Sequence, residues 1–198
     1  MTSELRGKIC VFTGSSPGAH AEYMGAARDF GRALVAHGYG LVYGGARVGL
    51  MAAVADAVLN RGGYAAGVIP DFLVDREIAH PRLSDLRVVS SMHERKALMA
   101  DMSDGFVALP GGLGTLDEFF EALTWAQLGL HAKPCGLLNV RDYFRRLLGF
   151  LDDAVDARFI KPAYRAMIVV EQRPHVLLEK FARYSAPENG EWLDRGMT

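Results

Sequence analysis

The sequence predicts a doubly wound α/β fold, a parallel sheet of about seven strands with helices on both faces. Three observations carry the prediction. Short apolar segments alternate with helix-period segments along the chain. The short segments are continuous apolar runs, as expected of strands buried on both sides. Three glycine-dense turns (14–18, 44–49 and 111–114) each follow such a run, and in a doubly wound sheet the strand carboxyl ends share the edge where ligands bind. The expected architecture is a Rossmann-like, three-layer α/β/α sandwich.

Taken in order, residues 8–13 (KICVFT) read as the first strand and 14–18 (GSSPG) as its turn. Residues 19–37 read as a helix with Tyr23, Ala27, Phe30 and Leu34 on one stripe and Gly38 as its stop. The plan repeats with a strand at 41–43, the turn GGARVG at 44–49, a helix at 50–60 ended by Gly62 and Gly63, and a third strand at 64–69 closed by Pro70. Residues 71–85 form the longest irregular piece, polar and centred on an exposed-looking His80-Pro81; loops of that length tend to be functional. A fourth strand (86–89) precedes a helix at 92–102, whose start carries capping-box spacing from Ser91 to Glu94. The fifth strand (105–109), a helix at 115–130, a sixth strand (135–140), a helix at 143–155, a strand at 167–170 and a helix at 175–184 complete the pattern. No linker interrupts it, so residues 1–198 read as one domain with a polar tail after about Pro187.

Composition excludes several classes. Half the residues are hydrophobic and 23% are charged, which is globular and neither disordered nor membrane-embedded. The formal net charge of -1 and the lack of a basic run argue against a nucleic-acid partner. The N-terminus lacks an apolar signal core and no stretch approaches membrane-spanning length, so a cytoplasmic protein with no membrane partner is expected. Cys10 and Cys135 each sit in an apolar run and read as buried thiols of a reducing compartment. His20, His93 and His131 lack metal-ligand spacing, so neither a metal nor another cofactor is expected.

The densest signal is residues 110–118, PGGLGTLDE. Gly111, Gly112 and Gly114 free the backbone to turn and keep side chains out of a ligand's way. Thr115 then reads as the start of a helix whose first amides lack internal partners, which makes an anion site. The other turns place Gly14, Ser15 and Gly45 on the same edge; Ser15 and Ser16 would contact phosphate or cap the first helix. No turn spells GxGxxG, no acidic residue ends the second strand, and no Gly-Lys-Ser/Thr occurs. The pattern therefore suits a mononucleotide or sugar phosphate better than a dinucleotide or a Walker-type nucleotide.

Two charged residues stand out beside that turn. Spacing leaves two readings of Glu118 open, the far end of a Thr115–Glu118 capping box or a carboxylate aimed past the phosphate at the sugar. Asp117, one position earlier, faces elsewhere, toward solvent or substrate hydroxyls. Arg95 shares a helical stripe with Leu98, Met99 and Met102, and a guanidinium on an apolar stripe needs an anionic partner, either a structural carboxylate or a ligand. Lys96 adds a neighbouring positive charge. Trp125, Phe119 and Phe120 fit core or interface spacing better than base stacking.

PGGLGTLDE together with SMHERKALM resembles the Lonely Guy (LOG) family of cytokinin riboside 5′-monophosphate phosphoribohydrolases. The resemblance extends through KICVFTGSSPG, GLVYGGARVGLM and TWAQLGLHAKPCGLLNV, to about Phe159. It implies hydrolysis of the N-glycosidic bond of an adenine nucleotide to free base and ribose 5-phosphate. It further implies Arg95 and Glu118 as the catalytic pair, with Gly111, Gly112, Leu113, Gly114, Thr115, Leu116 and Asp117 binding phosphate and ribose. Lys96, Glu77 and Thr124 would add contacts, in a homodimer with the site near the subunit interface. Members are often labelled lysine decarboxylases, yet this chain has five lysines, and only Lys96 falls near the inferred site. A non-catalytic nucleotide carrier or sensor on the same fold is the second expectation, and a dinucleotide oxidoreductase the weakest.

Overall fold

The computed structural model describes residues 5–77 and 79–187, without the side chains of 75–77. Seven described strands form one sheet: β1 (Gly7–Phe12), β2 (Tyr39–Tyr43), β3 (Ala65–Pro70), β4 (Asp85–Val89), β5 (Gly105–Ala108), β6 (Cys135–Leu138) and β7 (Ile168–Glu171). Every pairing is parallel, in the order β4-β3-β2-β1-β5-β6-β7. Parallel neighbours need crossovers, and helices supply them. They are α1 (Ala21–Ala36), α2 (Gly49–Leu59), α3 (Asp71–Glu77), α4 (Met92–Asp101), α5 (Leu113–Gln127), α6 (Arg145–Asp156) and α7 (Pro162–Ala166); α8 (Pro174–Ala182) follows β7.

Side chains alternate across the central strands and build two cores. Ile9 and Val11 of β1, Leu41 and Tyr43 of β2 and Val107 of β5 pack with α1, α2 and α8. Cys10 and Phe12, Val42, and Phe106 and Ala108 point the other way, onto α4, α5 and α6. Cys10 pairs in register with Phe106, and Phe106 with Cys135, so the two free, buried cysteines lie two strands apart. Two strand spacings are roughly 9.6 Å, beyond disulfide reach.

Helix boundaries follow local chemistry. Gly38 (φ 76) and Gly62 (φ 70) take the left-handed turns that end α1 and α2. The Ser91 hydroxyl accepts the Glu94 amide at 3.2 Å and caps α4 where the sequence places it. The Glu94 carboxylate reaches one residue further back than in a capping box, accepting from the Ser90 amide and hydroxyl, both at 2.8 Å.

Three expectations are corrected. Residues 71–85 are not one irregular loop, since α3 follows β3 without a break and Asp85 opens β4. Nor is His80 exposed. It is 2% accessible; its Nε2 lies 3.2 Å from Asp56 Oδ1, its Nδ1 accepts the Arg82 amide and its own amide donates to the Gly45 carbonyl. These bonds replace water for the buried ring, which polar composition could not reveal. Finally, neither Ser15 nor Ser16 caps α1. His20 is the N-cap residue, without a side-chain cap, and the Ser16 hydroxyl accepts the Gly18 amide. Short α7 also escaped the sequence reading. Among the described residues, no helix is long and apolar enough to cross a membrane.

Candidate active site

The chain winds outward from β1 to β4, then returns to place β5 on the other side of β1. The loops after β1 and β5 therefore diverge and leave a crevice between them. They are stitched together at its base: the Gly14 amide donates to the Pro110 carbonyl at 3.1 Å, and the Leu50 amide donates to the Gly14 carbonyl at 3.1 Å. The Thr13 hydroxyl donates to the Pro110 carbonyl at 3.3 Å. The contact requires glycine at 111, where a Cβ would lie 2.8 Å from the Gly14 nitrogen and collide with the Thr115 hydroxyl.

A cleft of about 260 Å³ opens here, lined by Thr13, Gly14, Ser15, Met51, Arg95, Gly112, Leu113, Gly114, Thr115 and Glu118. Its rim is the start of α5. The helix begins at Leu113 with Gly112 as N-cap, two residues before the expected Thr115. The earlier start removes one of the two readings of Glu118. Thr115 is already inside the helix and 4% accessible, so a Thr115–Glu118 capping box cannot form. Glu118 sits in the second turn and lines the cleft. The first amides of α5 have no partners within the helix, which makes the rim electropositive.

Arg95 enters from the first turn of α4, as its stripe position requires, and is 6% accessible. Its Nη2 donates to the Gly44 carbonyl at 3.3 Å, its Nη1 faces Met92 Sδ at 3.7 Å, and its Nε is buried without a hydrogen-bond partner. A buried charge so sparsely hydrogen-bonded is costly by itself. Its placement in a cleft beside Glu118 fits a group completed by ligand. The Glu118 charge is felt beneath the cleft too: burial first, and then that carboxylate, push the Cys10 thiol up.

The remaining expected residues divide. Gly14, Ser15, Gly112, Leu113, Gly114 and Thr115 converge on the cleft, and Leu113 is 87% exposed at its mouth. Lys96 is engaged next door, its Nζ 3.2 Å from Asp117 and 3.0 Å from Glu121. Burial opposes its charge, but the bonds from Glu121 and Asp117 outweigh it and raise the Lys96 pKa. Leu116 packs on the α5-side core. Gly45, in the left-handed region, backs onto Gly67 and holds the His80 amide. Thr124 is exposed, its hydroxyl bonded to the Phe120 carbonyl; at 1.5 Å per residue it lies roughly 16 Å along α5 from Leu113. The Glu77 side chain lies outside the described residues. Sequence reading missed Thr13 and Met51, though the end of the first strand and the residue after GGARVGL carried a positional signal for both.

A doubly wound parallel sheet with a cleft at its switch point defines a Rossmann-like ligand-binding protein. The fold is shared with the molybdenum cofactor carrier protein of Chlamydomonas reinhardtii (TM-score 0.67, 20% identity, 89% of this chain and 98% of that one). The molybdenum cofactor binding protein of Rippkaea orientalis is similar (TM-score 0.66, 20% identity, 91% and 98%). Sequence is more specific. A "Probable cytokinin riboside 5'-monophosphate phosphoribohydrolase" of Oryza sativa subsp. japonica is 51% identical over 90% of this chain and 71% of its own. A cytokinin riboside 5'-monophosphate phosphoribohydrolase of Arabidopsis thaliana is 48% identical over 90% and 83%. A family model described as "Possible lysine decarboxylase" matches residues 51–181. The chain belongs to this family, the LOG phosphoribohydrolases. The decarboxylase label finds little support at the site: a lysine that forms a Schiff base must lose its proton, whereas the two carboxylates on Lys96 raise its pKa.

Proposed function

We propose that the protein hydrolyses the N-glycosidic bond of cytokinin riboside 5′-monophosphates, of AMP or of both, releasing the adenine base and ribose 5-phosphate. The observation that carries the reading is that Glu118 and buried Arg95 line one cleft with the start of α5. Cleavage of the bond between ribose C1′ and the base nitrogen develops positive charge on the ribose, as in glycoside hydrolysis. Glu118 stabilises that charge and orients or deprotonates the attacking water. Arg95, always charged, is a poor proton donor; it positions Glu118 and substrate and offsets negative charge on the departing base. The amides at the start of α5 hold the 5′-phosphate, binding energy applied away from the breaking bond.

Thr124 is not among the residues that line the cleft, and its contact with substrate would come across the interface of a homodimer. Lys96, Asp117 and Glu121 brace the wall between α4 and α5. The whole chain acts as one domain, and the buried, free thiols suit a cytoplasmic enzyme.

The test is incubation with AMP and isopentenyl-AMP, following base and ribose 5-phosphate. Wild type releases both products, and Glu118→Gln loses about 10²- to 10⁴-fold in kcat. A wild type that binds both nucleotides and leaves them intact refutes hydrolysis and makes the protein a carrier or sensor. A fully active Glu118→Gln removes only the assignment of Glu118.

A further inference from the structure

The backbone after β6 is held where side-chain-bearing residues rarely go. Arg141 (φ 53, ψ 31) and Asp142 (φ 56) are consecutive and both left-handed, a conformation that costs energy in residues other than glycine. Such strain persists only where surrounding structure enforces it, and it clusters at functional sites. Here the enforcement is explicit. Buried Asn139 accepts the Phe144 amide at 2.8 Å and donates to the Asp142 carboxylate at 3.3 Å, and Gln172 donates to the same oxygen at 3.0 Å. Arg141 pairs with Glu22 of α1.

The strained turn delivers Tyr143. Its ring packs edge-on against Tyr23 and Phe144, and its hydroxyl donates to the Gly111 carbonyl at 2.6 Å. Tyr143 and Gly111 border a second lobe of about 310 Å³ on the far side of the PGGLG turn, together with Tyr23. Gly14, Ser15 and Gly112 border both that lobe and the cleft, whereas Gly111 borders only the lobe. The Gly111–Gly112 peptide is thus part of the boundary between the two spaces. In a planar trans peptide the carbonyl and the following N–H point in opposite directions. A Gly111 carbonyl tied to Tyr143 in the lobe therefore directs the Gly112 N–H away from Tyr143.

We propose that Tyr143 is a positioning residue for the substrate's phosphate, acting as a lock on that peptide plane. Two adjacent glycines offer no side-chain resistance to a peptide flip. Flipped, the peptide would present a carbonyl oxygen to the anion in place of an amide donor. The Tyr143 hydroxyl holds the donor orientation, and the strained turn at Arg141 and Asp142 fixes the hydroxyl. The inference rests on the reading of the cleft as a phosphate site.

The test is Tyr143→Phe, which keeps the ring and removes the hydroxyl. Calorimetric titrations with ribose 5-phosphate, AMP and adenosine are compared with wild type, alongside Tm. Affinity for both phosphorylated ligands falls about three- to tenfold, the scale of one neutral hydrogen bond. Affinity for adenosine is unchanged, Tm stays within about 2 °C, and with isopentenyl-AMP the loss enters KM and not kcat. Unchanged affinity for ribose 5-phosphate, or an equal loss for adenosine, overturns the proposal. The titrations need no turnover: if wild type binds AMP without cleaving it and Tyr143→Phe still weakens ribose 5-phosphate, hydrolysis fails and the lock stands. A wild type that binds neither phosphorylated ligand overturns both.

Discussion

Gly44→Ala is the most direct probe of Arg95, because it moves the guanidinium without changing its charge. Gly44 lies outside the left-handed region, so alanine suits its backbone. The added methyl, however, would collide with Arg95 Nη2 and lie 3.3 Å from Met51 Sδ and 3.4 Å from Arg95 Cζ. The guanidinium must withdraw from the Gly44 carbonyl, its 3.3 Å hydrogen-bond partner. A displacement of about 1 Å in a positioning group costs on the order of 10²-fold in rate, about 2.7 kcal/mol of transition-state stabilisation. Overpacking alone costs about 1–3 kcal/mol of fold stability, which leaves the protein folded at assay temperature.

The assay is kcat/KM with isopentenyl-AMP for wild type, Gly44→Ala, Arg95→Ala and the double variant, with Tm measured for each. If the methyl acts through Arg95, the double variant is no slower than Arg95→Ala alone, because the displaced group has already gone. Multiplicative losses in the double variant would show that Gly44 matters for another reason. A Gly44→Ala enzyme with wild-type kcat/KM would refute the placement of Arg95 against the Gly44 carbonyl.

Two further predictions come from buried and titrating groups. Burial pushes Cys135 up to about 12 and raises Cys10 well above the ordinary thiol range, with Glu118 adding to the latter; a thiol reagent at pH 8 should leave both cysteines unmodified in the native protein and label both in denaturant, and stoichiometric native labelling would contradict this packing. Burial, then the neighbouring His175, lower the His37 pKa, and burial lowers that of His131. The unfolded chain therefore takes up these protons first, and stability falls as pH drops below about 6.5, levelling off beneath the folded values. Replacing both histidines with glutamine should flatten Tm between pH 7 and 5. The acid-side loss tied to Asp56 should survive at lower pH: burial opposes that charge, but His80 and Arg82 outweigh it and lower its pKa.

The sequence was most legible where one residue type admits one geometry. Continuous apolar runs gave the strands, glycines marked the stops of α1 and α2, and Ser91 placed the start of α4 to the residue. The inward position of Arg95 was legible because a charge on an apolar stripe is anomalous. What stayed hidden depended on partners distant along the chain. The polar segment 71–85 looked exposed because its composition is that of a loop, whereas His80 is satisfied by Asp56 and by backbone groups brought in from elsewhere. The start of α5 was misplaced because Thr115 is a good capping residue. The helix instead begins at Leu113, after a glycine that has no side chain to cap with, just past the tertiary bond from Gly14 to Pro110.

That earlier start has a chemical consequence. Were Thr115 the cap, Glu118 would be committed to a backbone amide at the helix start, in the first turn where a phosphate must approach. With Gly112 as the cap, the first turn is Leu113, Gly114 and Thr115, and the space over it holds no carboxylate of that turn. Glu118 moves one turn deeper, to the part of the cleft that Arg95 also lines. On the proposed reading, anion binding and carbocation stabilisation require opposite local charge, and one helix would supply both by separating them along its axis. Amides at its mouth would suit the phosphate, and a carboxylate one turn in, roughly 5 Å further along, the ribose. The glycines of the turn would then do more than bend the chain, since the early start they give α5 leaves its acid to the sugar.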